Sequence, residues 1–174
     1  MLALLKDYYK NYTLFVPDPL FREDDYYVIR ESGRVVAGIQ KYPVTWNIVD
    51  FGSNIANGLA NIITRLPRVK KRFNPDNFHL LAFDGIYCEK GYESALYELM
   101  EGVLERSNTY VAIIMSDTGS ELYGIFQNRS KLGILHKILG NFLADIRVRF
   151  INLPGEIRQY FLDHPTYIST FDIS

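Results

Sequence analysis

At 174 residues, 48% of them apolar and 22% charged, the chain has the length and composition of one globular domain with a full hydrophobic core, which excludes a disordered chain. Nineteen Lys and Arg against twenty Asp and Glu leave a net charge of −1, so the cationic excess that a nucleic-acid binder needs to displace counterions is missing. The single cysteine, Cys88, excludes an internal disulfide framework and makes a reducing compartment the simpler expectation.

No apolar run approaches bilayer length, and the apolar residues 1–5 are followed at once by Lys6 and Asp7, unlike a signal peptide. The expected location is cytoplasmic. Residues 2–12 have apolar side chains at helical spacing without a capping residue ahead of them, which suggests that the chain begins partway through a larger domain. Pro17, Asp18 and Pro19 mark a loop. Residues 26–30 and 35–40 are β-rich runs around the turn signal Ser32-Gly33, the clearest hairpin in the sequence. Residues 42–49 extend its second strand or add another, with Pro43 confining that stretch to an edge or bulge.

Residues 54–66 place Ile55, Leu59, Ile62, Ile63 and Leu66 on one helical face, ended or kinked by Pro67. The basic run that follows, Arg68, Lys70, Lys71 and Arg72, reads as a solvated helix end, with a membrane surface, an acidic partner or a phosphate as the sharper alternatives. Residues 74–77 are a turn, and residues 80–88 a strand with a bulge or bend at Asp84-Gly85. The strongest helix follows, with Leu96, Leu99, Met100, Val103 and Leu104 on one face and Glu98, Glu101 and Glu105 on the other. Residues 110–115 read as a strand buried on both faces, and residues 120–127 as a short helix. Strands at 132–139 and 146–153, a helix at 156–162 and a last strand at 167–173 complete the expected α/β (α+β) domain.

This order of a hairpin, then strand, turn, helix, strand and helix over residues 80–127, then further strands, resembles the GNAT N-acetyltransferase superfamily. The resemblance implies a mixed, mostly antiparallel sheet with helices on both faces over the single domain 1–174, with the family's first strand missing. It implies an acyl-CoA co-substrate such as acetyl-CoA, no metal, and an amine acceptor, either a small molecule or a peptide. The family's phosphate turn is Arg or Gln, two residues, Gly, one residue, then Gly or Ala. Its backbone N–H groups hold a pyrophosphate at a helix N-terminus. Cys88, Lys90, Gly91, Tyr92 and Glu93 fall on that turn, with Gly91 and the later Leu96 matching the pattern.

Two residues depart from it. Cys88 stands for the Arg or Gln, and Glu93 for the small residue. A carboxylate about 4 Å from a phosphate at that N-terminus would oppose it by about 4 kcal/mol at a near-surface dielectric. The same turn without a ligand is an ordinary strand-to-helix connection with an acidic first turn. Tyr123 falls where many family members carry the phenol that protonates the leaving CoA thiolate, although it is also one of 13 tyrosines and suits packing on the sheet. Asp84 is the positional candidate for a general base, with Glu89 next, although it better suits a turn or bulge beside Gly85.

Two functions follow from these readings: transfer of an acyl group from acyl-CoA to an amine, or a GNAT-like lobe without catalysis that binds or scaffolds beside a second lobe or a second copy. A gap between the strands ending near Tyr87 and Met115, open or filled by side chains, separates them. His79, His136 and His164 share no ligand spacing. Trp46 reads as a core or edge anchor.

Overall fold

A computed structural model describes residues 1–21, 25–49, 74–127, 132–133, 136, 141 and 143–170. The hairpin expected from Ser32-Gly33 joins β1 (Tyr26–Glu31) to β2 (Arg34–Trp46). Ser32 and Gly33 both take positive φ, +49° and +82°, as a two-residue turn matched to the twist of its strands requires. The strands pair antiparallel from Tyr26↔Gln40 to Glu31↔Arg34. β2 runs on past β1 and pairs antiparallel with β3 (Phe78–Cys88), down to Trp46↔Phe78. Pro43 therefore lies where β1 no longer pairs, on a locally free edge that has no use for its missing N–H. β4 (Ala112–Ile113) adds in parallel through Leu81↔Ala112 and Ala82↔Ile113. The result is an α+β fold around a mixed, mostly antiparallel sheet of order β1-β2-β3-β4.

Besides a 3-10 turn of helix at Pro75–Asn77, the α-helices are α1 (Leu2–Tyr8), α2 (Glu93–Arg106), α3 (Glu121–Phe126) and α4 (Gly155–Asp163). In α2 the apolar spacing buries Leu96, Tyr97, Leu99, Met100 and Val103 and leaves Glu98, Glu101 and Glu105 exposed. Each such buried aliphatic side chain is worth roughly 1.5–3 kcal/mol. They join Leu5 and Tyr9 of the N-terminal region, Ala37 and Ile39 of β2, Phe83 of β3, and Leu122 and Phe126 of α3 in the main core. A second cluster, Val44, Phe78, Leu80 and Ala82 with Trp46 against it, lies around the lower halves of β2 and β3. The helix expected at 54–66 and the basic run after it lie outside the described residues.

Several elements differ from expectation. α1 stops at Tyr8 instead of reaching Tyr12, because Tyr9 leaves the helix (φ −94°, ψ 12°) with its ring buried. The strand expected at 110–115 pairs only at Ala112 and Ile113. It is half-buried rather than enclosed, since no described strand lies beyond it. The strand expected at 146–153 has no ladder partner among the described residues, and Ile146, Val148 and Ile151 are exposed. The alternation of Ile146, Arg147, Val148, Arg149 and Phe150 satisfies the period-2 rule, but that rule assigns faces and cannot supply a neighbour. α4 forms as expected yet buries no residue. Residues 167–170 form no strand, and the segment makes one isolated bridge, Thr13↔Thr166. Most of the strand expected at 132–139 lies outside the described residues, and the described His136 is helical rather than extended. Among the described residues, no helix is long and apolar enough to cross a membrane.

Candidate functional site

The sheet opens where β3 and β4 part. Their parallel pairing ends at Ala82↔Ile113, while β3 continues to Cys88. Beyond that point β3 carries the bulge expected at Asp84-Gly85: Gly38 pairs with Tyr87 and Gln40 with Asp84, so two steps on β2 face three on β3. Gly85 sits at φ +54°, and a Cβ there would lie 2.9 Å from one Leu20 methyl and 3.0 Å from the other. Only glycine combines that backbone with that closeness at no cost.

Asp84 lies at the bulge, 4% exposed. Its Oδ1 accepts the Gly85 N–H at 2.8 Å and the Tyr167 hydroxyl, and its Oδ2 accepts the Ser169 hydroxyl. A buried carboxylate with three donors meets the condition for keeping such a group out of water. The bulge carbonyls are also occupied. Tyr26 donates its hydroxyl to the Gly85 carbonyl at 2.7 Å, and Tyr9 donates to that of Ile86. Burial raises the pKa of Tyr9, Tyr26 and Tyr167 well above the ordinary phenol value, and the Asp84 charge adds to the last two. All three are therefore neutral donors at physiological pH.

Residues 165–170 form a strap across the opening. Thr13 N–H donates to the Pro165 carbonyl and Tyr167 N–H to the Thr13 carbonyl, both at 2.9 Å. Thr166 N–H reaches Asp117 Oδ2 at 2.9 Å, and Met115 N–H reaches Thr170 Oγ1 at 3.1 Å. The Tyr9, Phe15 and Tyr167 rings pack together with centroids 4.7–4.9 Å apart. A cavity of about 20 Å³ is left, lined in part by Tyr12, Asp84, Asp117 and Tyr167. That is room for about one water. The gap expected between Tyr87 and Met115 is thus present, and the chain's own side chains fill it.

The phosphate-type turn is self-occupied as well. Gly91, at φ +88°, lets β3 turn into α2, and Tyr92 stands at the N-cap without a side-chain cap. Glu93 Oε1 accepts the Gly91 N–H at 3.1 Å. Hydrogen bonds from its own N–H and from that of Gly91 hold the Glu93 carboxyl below the ordinary glutamate value. Lys90 is exposed, and Glu89 is paired with Arg34 at 3.0 Å. Cys88, buried at the end of β3, has its thiol pushed up to about 11 by burial and then by Glu93. With so small a thiolate fraction, Cys88 should react with a maleimide at pH 7.5 at least ~10-fold more slowly than in the unfolded chain. Equal rates, followed by mass spectrometry, would show that the thiol is open. The sign for stability follows: a pKa raised by folding favours the folded state below about 9, and this contribution is lost as pH rises toward about 11.

Tyr123 lies on α3, half-buried, its N–H capped by Ser120 Oγ at 3.2 Å. Its neighbours Leu122 and Phe126 enter the core, and Tyr97 ties α2 to α3 by donating to the Ile125 carbonyl at 2.6 Å. Tyr123 does not line the cavity beside Asp84. The structure therefore gathers Cys88, Lys90, Gly91, Tyr92 and Glu93 at one turn and puts Asp84 at the bulge, without joining Tyr123 to Asp84. Sequence reasoning missed Tyr9, Tyr167 and Ser169. The available signal was two hydroxyls two residues apart, on one side of an extended segment. Among the described residues no group of His, Cys, Asp or Glu could hold a metal ion.

Comparison with protein-family models, with curated proteins and with solved structures returns no match.

Proposed function

We propose that this chain is a GNAT-like lobe that does not bind acyl-CoA as it stands and serves as a binding or scaffolding lobe beside a second lobe or a second copy. The observation that carries this reading is the filled gap. Tyr9, Tyr167 and Ser169 take the bulge groups that an extended ligand between β3 and β4 would need. The turn adds to it, because the Gly91 N–H already has an anionic acceptor in Glu93. A partner surface is available in the region 143–162, where Ile146, Val148, Ile151 and Leu162 are 55–68% exposed.

Calorimetric titration with acetyl-CoA tests the proposal. The wild-type chain should give no heat of binding at millimolar cofactor. Glu93→Gly, which frees the turn, should gain measurable affinity. Micromolar binding by the wild type sinks the proposal.

A second reading, acyl transfer to a small-molecule or peptide amine, is favoured by the parallel β3–β4 pair that parts after two residue pairs and by the left-handed Gly91 before α2. In that reading Tyr123 protonates the leaving thiolate and Asp84 takes the proton of the amine. It requires the Asp84 oxygens to be released from Tyr167 and Ser169, and turnover of acetyl-CoA by the wild-type chain would establish it.

A further inference from the structure

We propose that residues 165–170 are a displaceable plug: the strap opens locally, without unfolding of the sheet, and its seating controls access to the gap between β3 and the chain after β4. The inference rests on the reading of that gap as a filled cofactor groove. The way the strap is held points to local opening. It is tied by one isolated bridge rather than a ladder, its apolar hold is the Tyr167 ring against Tyr9 and Phe15, and its other ties are hydrogen bonds with Asp84, Gly85, Asp117, Thr13 and Met115. From Thr166 to Ser169 every residue is half-buried, and only Thr170 is fully enclosed. The chain leading into the strap offers no anchor, because α4 buries none of its residues. The strap also leaves the cavity of about 20 Å³ beneath it unfilled. A six-residue segment outside any ladder, partly exposed along most of its length and with one aromatic anchor, belongs to the parts of a fold that open at a free energy below that of global unfolding. Opening leaves Asp84 with the Gly85 N–H alone, so a molecule that takes the slot must replace two hydroxyl donors.

Native-state hydrogen exchange tests the opening. The amides of Thr13, Met115, Thr166 and Tyr167 should exchange as one group, about 100-fold or more faster than those pairing β2 with β3. The Thr13→Cys/Thr166→Cys pair supplies a lock, since the two hydroxyls lie 3.1 Å apart across the bridge and Cys88 is buried away from exchange chemistry. The oxidised form should slow that group to the rate of the β2–β3 amides. Exchange of the group at the core rate in the wild type overturns the proposal. Acetyl-CoA titrated into the same pair in a Glu93→Gly background then reads access: binding by the reduced form, at least 10-fold weaker binding by the oxidised form. Equal binding by both forms also overturns the plug. Binding by neither, with local opening observed, sustains the plug and removes the reading of the gap as a cofactor groove.

Discussion

Asp84→Ala should lose about 3 kcal/mol of unfolding free energy, since removing a charged acceptor strands several buried donors at once. The carboxylate accepts the Gly85 N–H and the hydroxyls of Tyr167 and Ser169. Alanine withdraws the acceptor from both hydroxyls and leaves the Gly85 N–H with the Tyr167 oxygen alone, at 3.1 Å. One water can occupy the enlarged cavity and recover part of the loss, which keeps the cost below the sum of three hydrogen bonds. Asp84→Asn keeps the volume and one acceptor oxygen but turns an NH₂ group toward a hydroxyl, and should cost about half as much. Urea unfolding of the two variants checks the order. A loss under about 0.5 kcal/mol for Asp84→Ala would mean that the strap does not depend on the carboxylate.

Gly85→Val should cost about 3 kcal/mol as well, by a different route. The left-handed backbone accounts for about 1–2 kcal/mol with any Cβ, and more when the side chain is β-branched. The rest is overpacking, because the new Cβ lies 2.9 Å from a Leu20 methyl and the valine methyls reach further. A double-mutant cycle with Leu20→Ala separates the shares: the coupling should return about 1–2 kcal/mol and leave the backbone share in place. Gly91→Ala serves as the control. At φ +88° with nothing within 4 Å of its Cβ, Gly91 should show the backbone cost alone, about 1 kcal/mol. Equal losses at the two glycines would show that Leu20 does not press on the bulge.

What could be read from the sequence was whatever is specified locally. Ser32-Gly33 announced a turn that needs two positive φ angles, and the hairpin formed around it. The apolar stripe from Leu96 to Val103 announced α2, and the short helix expected at 120–127 formed as α3, with Ser120 as its cap. Asp84-Gly85 was readable as a bulge because the pair interrupts an otherwise apolar strand. Asp84's partners were not readable. They lie 83 and 85 residues away, and a Tyr and a Ser carry no mark of the carboxylate they will meet. The same limit explains the misreading of residues 146–153. Their alternation fits a strand, but pairing depends on an edge elsewhere, and among the described residues none meets it. At the phosphate-type turn, Glu93 was visible as the wrong residue for a pyrophosphate. That its own carboxylate would close onto the Gly91 N–H required the geometry.

The distribution of aromatic side chains decides which optical signal follows which event. The only tryptophan, Trp46, stands opposite Phe78 at the far end of the β2–β3 ladder, against the second cluster. The opening between β3 and β4 is instead lined by tyrosines, with Tyr9, Tyr12 and Tyr167 around one cavity. Indole fluorescence should therefore stay level while the strap lifts and change only when the sheet melts. Near-ultraviolet circular dichroism in the tyrosine band should respond to both. A denaturation curve in which the two probes fail to superimpose would be the direct optical trace of two separate events in one small domain.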